Sequence, residues 1–153
     1  MNDRPYKVYK IEKGTVIDHI KGSQAIRVLH VLGLDQEMDN LITIGINLKS
    51  EKYGKKDVIK IENRSLSKNE FDKIAIVSPD ATVNVINHGK ITEKHVVKLP
   101  DSIKGIIKCP NPDCITRKGA VESVFVTERK EEDVRYRCHY CERAFNKECV
   151  SII

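Results

Sequence analysis

The stretch NLITIGINLKSEKYGKKDVIKIEN, residues 40–63, holds two apolar alternations on either side of a charged, glycine-bearing break. Ile42, Ile44, Ile46 and Leu48 recur at period two, which predicts a strand with one apolar side. SEKYGKK, residues 50–56, reads as a turn with a charged rim, and DVIKIEN, residues 57–63, as a second strand. The two strands make a hairpin.

Outward from the hairpin the period changes on both sides. In SQAIRVLHVLGL, residues 23–34, Ile26, Leu29 and Leu32 fall on one helical face. Ser23 is placed to cap that helix and Gly33 to end it. Beyond the hairpin, Ser67 and Glu70 have capping-box spacing ahead of Phe71, Ile74 and Ala75. Further out, YKVYKIEKGTVIDHI, residues 6–20, gives two short β-type runs broken at Gly14, and ATVNVINHG, residues 81–89, a closing strand. The order β-β-α-β-β-α-β predicts an α+β fold, a ferredoxin-like antiparallel sheet with two helices and one extra N-terminal strand. KLPDSIKG, residues 98–105, interrupts the pattern and sets a boundary near residue 100. That gives one domain over 1–100 and a small all-β domain over 101–153, too short to be comfortable without a staple.

The cysteines offer the staple. Cys109-x4-Cys114 is followed after 23 residues by Cys138-x2-Cys141. Short spacings bend paired thiolates onto one ion, and the long gap lets a β-meander return with the second pair. Four soft thiolates suit one structural zinc per chain; iron or disulfides are the alternatives. Full tetrahedral coordination leaves no site for an activated water. His139 is an alternative ligand, better read as an exposed loop histidine. Cys149 reads as a leftover small residue near the C-terminus. The charge run Glu128–Asp133 reads as a solvated hairpin tip.

Composition narrows the function. With 40% hydrophobic and 32% charged residues, the chain has an ordinary soluble composition, without a spanning run or a signal-peptide core. A cytoplasmic location and no membrane partner are expected. The net charge of +5 is concentrated at the front: 17 basic against 13 acidic residues in the first hundred. Three Phe, five Tyr and no Trp leave few stacking platforms, so no nucleic-acid partner is expected, although a zinc ribbon on RNA or DNA is the rival reading. No nucleophile elbow, phosphate loop or HExxH stretch occurs, and a small metalloenzyme is the other rival. Asp18 and His19 are neighbours on a strand, which points their side chains to opposite faces and excludes an acid–base couple. Lys55, Lys56, Lys60, Lys90, Lys94 and Lys98 lie on or beside strands and would converge on a phosphate chain if those strands are neighbours.

KGTVIDHI, ITIGINL, GKKDVIKIEN, ATVNVI and CPNPDCI…RCHYCERAF follow one another in an order and spacing that resembles the regulatory chain of aspartate carbamoyltransferase. The resemblance covers nearly the whole chain. It implies a non-catalytic polypeptide whose N-terminal allosteric domain binds nucleoside triphosphates and dimerises, and whose zinc domain docks on the catalytic chain. Three regulatory dimers would bridge two catalytic trimers, which carbamoylate aspartate in pyrimidine biosynthesis. CTP would inhibit and ATP activate, with UTP a further effector.

Carried across position by position, the resemblance places Ile11 beside the base, Asp18 on the ribose and His19 on the phosphate side. Lys60 falls on a base and ribose contact, Lys56 on a pocket lysine, and Asn84, Ile91 and Lys94 on the phosphate side. Two positions depart: Gly89 stands for an aromatic and Val96 for a phosphate-gripping arginine, leaving His95 and Lys98 as the nearby compensating cations. In the zinc loop Asn111 and Glu142 match residues that face the catalytic chain, and Asp113 stands where the pattern has an amide.

Overall fold

The hairpin forms, with its turn at residues 51–53 and Gly54 opening the second strand, in the computed structural model, which describes residues 10–36, 39–131 and 133–153. The chain divides into two units, Met1–Lys98 and Leu99–Ile153. The first contains β1 (Gly14–Lys21), α1 (Ala25–Val31), β2 (Ile42–Ser50), β3 (Gly54–Glu62), α2 (Lys68–Val77), β4 (Thr82–Asn87) and β5 (Lys90–Val96). Its sheet runs β2-β3-β1-β4-β5 with every neighbouring pair antiparallel. Without β5 this is the ferredoxin-like order, two split βαβ units interleaved.

Register decides which residues share a face, because directly paired residues point the same way. Ile17 stands opposite Ile59 and Val83, and Thr15 opposite Ile61. These side chains are buried, as are Ala25, Val28 and Leu29 of α1 and Ile74 to Val77 of α2. That face is the core. Burial of each large aliphatic group contributes roughly 1.5–3 kcal/mol. The first position of β1 requires glycine, because a Cβ at Gly14 would run into the Ile61 carbonyl and the backbone of Glu62 and Asn63.

The helix ends follow local chemistry. Ser67 accepts from the Glu70 N–H and the Glu70 carboxylate accepts from the Ser67 N–H, the expected capping box. Gly33, at φ 71°, closes α1: its N–H reaches the His30 carbonyl while Leu34 N–H reaches Leu29. This is a Schellman end. The other end differs from expectation. Gln24, not Ser23, holds the N-cap, without a side-chain cap bond, and Ser23 sits at φ 72°. Ile26 is exposed, because Ala25 and Val28 join Leu29 and Leu32 on the buried face.

Asp57 replaces the missing cap. This carboxylate is fully buried; Oδ2 accepts from the Ala25 N–H at 2.8 Å and Oδ1 from the Asn47 N–H at 2.9 Å. Asn47, at φ 60°, marks the bulge where β2 slips register against β3. One side chain thus ties the start of α1 to the edge strand.

Two further expectations change, and a third lies largely outside the described residues. The extra N-terminal strand falls on residues 6–9, outside the described residues, and residues 10–13 are not strand. A fifth strand of the described sheet, β5, turns back from β4 through His88 and Gly89, both at positive φ. Its charged composition, KITEKHV, hides it from an apolar-alternation test. β1 is also bulged between Ile17 and Ile20, with His19 at φ 55°. Simple alternation at Asp18 and His19 therefore does not apply; the His19 N–H donates to Asp18 Oδ1 at 2.6 Å.

The second unit is all β: β6 (Ser102–Lys104), β7 (Ile107–Lys108), β8 (Val124–Lys130), β9 (Asp133–Cys138), β10 (Ala144–Asn146) and β11 (Ser151–Ile152). A sheet ordered β10-β9-β8-β6 stands beside the β11–β7 pair. Its core is short, with Ile103, Ile106, Ile107, Phe125 and Tyr136 almost wholly buried. The charge run at the β8–β9 tip is only partly a solvated rim, since Glu128 pairs with Arg137. No helix among the described residues is long and apolar enough to cross a membrane.

Candidate functional site

The sheet face turned away from the core carries a polar row across all five strands. Thr43 pairs with Lys60, Lys60 with Val16, Val16 with Asn84, and Asn84 with Lys94. A second row, Asp18–Thr82–Val96, lies two residues along. Ile91 pairs with Ile86, which shares the face of Asn84. The hairpin and the β1 crossover thus bring together Lys60, Asn84, Lys94, Asp18 and Ile91, which are remote in sequence.

The electrostatics of this face are set by Asp18. Lys56 Nζ stands 3.0 Å from Asp18 Oδ1, each side chain 23% exposed. Burial depresses the Lys60 ammonium; the Asp18 charge pushes it back up and Lys10 adds to the depression. His19 Nδ1 lies 3.2 Å from Thr82 Oγ1. Asn84 Oδ1 is buried and has no hydrogen-bond partner among the described residues. A buried orphan acceptor costs roughly 1–3 kcal/mol, so it marks a place where a donor is wanted. Ile11 is buried just before β1. Thr82 and Thr43 join the face without having stood out in the sequence; only the cross-strand register identifies them.

The two compensating cations are elsewhere. His95 pairs with Val83, on the core side, and its ring lies 5.5 Å from that of Phe71. Lys98 Nζ is bound to Asp80 Oδ1 at 2.6 Å. Val96, half exposed, ends its row.

In the second unit Cys109, Cys114, Cys138 and Cys141 converge. Their Sγ atoms all lie within 4.8 Å of one another, with Cys109–Cys141 and Cys114–Cys138 at 3.7 Å. Thiolates at about 2.3 Å from a tetrahedral metal are about 3.8 Å apart, so the donor set fits such an ion. All four thiols are free of disulfides. Burial pushes the Cys109 and Cys138 thiols up. At Cys114 burial acts the same way, but the Thr116 hydroxyl and N–H and the neighbouring thiols outweigh it and hold the group at about 7. His139 is exposed, edge-on to Tyr140, and outside the cluster; Cys149 is exposed.

The loops that carry the thiols are held by local hydrogen bonds. Asn111 is buried, its Oδ1 accepting from the Asp113 N–H at 3.1 Å while its carbonyl accepts from Cys114. Arg117 Nη1 donates to the Cys109 carbonyl at 2.8 Å. Asp113 and Glu142 are exposed. Glu142 closes the second knuckle at φ 62°, where its N–H reaches the Cys138 carbonyl at 2.9 Å. A non-glycine residue there costs roughly 1–2 kcal/mol.

Comparison with known proteins places these two sites in one family. The allosteric-domain model of the aspartate carbamoyltransferase regulatory chain matches residues 6–98, and the metal-binding-domain model of the same chain matches residues 101–151. The regulatory chain of Methanococcus maripaludis is 47% identical over 148 residues, covering 97% of this chain and 98% of the relative. That of Thermococcus sibiricus is 46% identical over 144 residues, 94% of each chain. That of Methanocaldococcus jannaschii is 46% identical over 141 residues, 92% of this chain and 93% of the relative. The chain belongs to the family of aspartate carbamoyltransferase regulatory chains: it is a non-catalytic subunit with an allosteric and a metal-binding domain, and its partners are catalytic chains.

Proposed function

We propose that this subunit senses nucleoside triphosphates on the open sheet face and passes the signal to catalytic chains held by a zinc-stapled docking loop. CTP is the inhibitor and ATP the activator, with UTP a further ligand, and the setting is cytoplasmic pyrimidine biosynthesis. The observation that carries the reading is the row Lys60–Asn84–Lys94 beside Asp18, with the unpartnered Asn84 acceptor in its middle. Asp18 accepts from ribose hydroxyls, Lys60 from its partly buried position donates to base and ribose, and Lys94 and His19 serve the phosphates. Lys56 pairs with Asp18, and Ile11 and Ile91 supply apolar walls.

Zn2+ is the metal, one per chain, held by Cys109, Cys114, Cys138 and Cys141. Bound there it supplies folding free energy and no reactive water. Asn111 sets the loop from within, and Asp113 and Glu142 meet the catalytic chain. The first unit forms the regulatory homodimer; the exposed apolar residues Leu41, Ile44 and Ile46 at and near edge strand β2 support this. Coupling requires the nucleotide to bind two quaternary states unequally, typically by about 1–3 kcal/mol.

Calorimetric titration of CTP, with and without magnesium, tests the sensing end. Saturable binding is expected, weakened about tenfold in Lys94→Ala, a loss of about 1.4 kcal/mol, with assembly unchanged. Absence of saturable binding contradicts the reading, and equal affinity in Lys94→Ala removes that residue from the site. Steeply salt-dependent RNA binding in place of CTP binding would favour the nucleic-acid alternative.

A further inference from the structure

The second knuckle is held by a contact that neither the thiolates nor the core explains. Glu142 presents an exposed side chain from a left-handed turn. Its carbonyl accepts from Arg137 Nη1 at 2.7 Å. The same guanidinium turns its other edge to Glu128: Nε bonds Oε1, and Nη2 lies 3.4 Å from Oε2. Arg137 pairs with Val126 and Glu128 with Arg135, so Glu128 and Arg137 are diagonal neighbours on the outward face of β8 and β9. Arg135 Nη2 in turn reaches the Ala144 carbonyl at 3.2 Å. Two strand arginines thus tack down the chain leaving the knuckle.

We propose that Glu128 and Arg137 form a positioning clamp: the Glu128 carboxylate fixes the guanidinium plane so that Arg137 holds the Glu142 carbonyl, and thereby aims the Glu142 side chain at the catalytic chain. The inference rests on the reading that Glu142 meets that partner. An exposed ion pair adds little stability. A bidentate fork instead adds orientation, since carboxylate and guanidinium planes lock together. The third N–H direction is then fixed, and the knuckle carbonyl lies on it. A lysine at 137 has one donor centre and cannot hold both acceptors in this geometry.

The test uses the full metal-loaded chain. Glu128→Gln removes the charge and the symmetric acceptor from a half-buried strand position. Metal content and the melting of the second unit are expected to match the unsubstituted chain, while affinity for catalytic trimers, measured by sedimentation or surface capture, falls about tenfold. Glu142→Ala is expected to weaken trimer binding as well, and adding Glu128→Gln to it to cause no further loss, because the clamp acts through Glu142. Additive losses overturn the clamp, as does metal loss or a lowered melting point in Glu128→Gln. Normal trimer binding by Glu128→Gln with impaired Glu142→Ala overturns the clamp and leaves the docking reading standing. Normal binding by Glu142→Ala removes Glu142 from the interface, and the clamp with it.

Discussion

The Cys114→Ala chain is expected to lose the fold of its second unit and its hold on catalytic chains, while the first unit stays folded. The reason is the balance of terms in a short all-β unit. Its fully buried large side chains are few, chiefly Ile103, Ile106, Ile107, Phe125 and Tyr136. A core of that size gives only about 3–5 kcal/mol. Metal capture by four thiolates contributes about 10–16 kcal/mol, and the site does not exist in the unfolded chain. Cys114 is buried, and its sulfur also accepts from the Thr116 hydroxyl at 3.1 Å. Its loss removes one of four donors and leaves a void that water must fill. Metal content, limited proteolysis and trimer capture follow the change. A Cys114→Ala chain that retains metal, resists cleavage beyond residue 100 and binds trimers normally contradicts the account.

The second large effect is expected at Asp57, and it falls on the first unit. Asp57→Ala leaves the Ala25 and Asn47 N–H groups without their acceptor, at 2.8 and 2.9 Å respectively in the intact chain. The buried Ala25 donor left unpaired costs roughly 1–3 kcal/mol, partly offset because a carboxylate no longer needs desolvation, and the Asn47 N–H, on an exposed residue, costs less. A net loss of about 2 kcal/mol is expected, read from urea denaturation as a lower midpoint. Asp57→Asn keeps the shape but offers only one acceptor atom, so it is expected to fall between the two. If Asp57→Asn is as stable as the unsubstituted chain, shape and not acceptor count is the cause. If neither changes the midpoint, the carboxylate is not the tie between α1 and β2.

These two residues also show how differently the two halves read from sequence. The cysteine spacing is informative by itself, because few other constraints place two short-spaced thiol pairs around a hairpin. Ser67 and Glu70 are equally local, and both cap bonds form. Asp57 is invisible to such rules: its partners are 32 and 10 residues away and are backbone groups. The same holds for Glu128, where a charged stretch reads as a rim until Arg137 is seen across the pair of strands. β5 escapes because an exposed edge strand has no apolar alternation to detect. On the open face, Lys60 and Lys94 read only as two among several strand lysines and Asn84 stands out only through family resemblance; the register shows that they form one row. The bulges at His19 and Asn47 defeat period-two counting where it was applied.

The central claim is that a nucleotide bound by one unit alters catalysis in chains held by the other. Catalytic trimers should therefore be assayed alone, with the metal-loaded chain, and with the chain stripped of metal, each with and without CTP. CTP is expected to lower activity only in the mixture that contains the loaded chain, with trimers alone and the stripped mixture unresponsive. An equal response to CTP in trimers alone, or in the stripped mixture, would contradict the account.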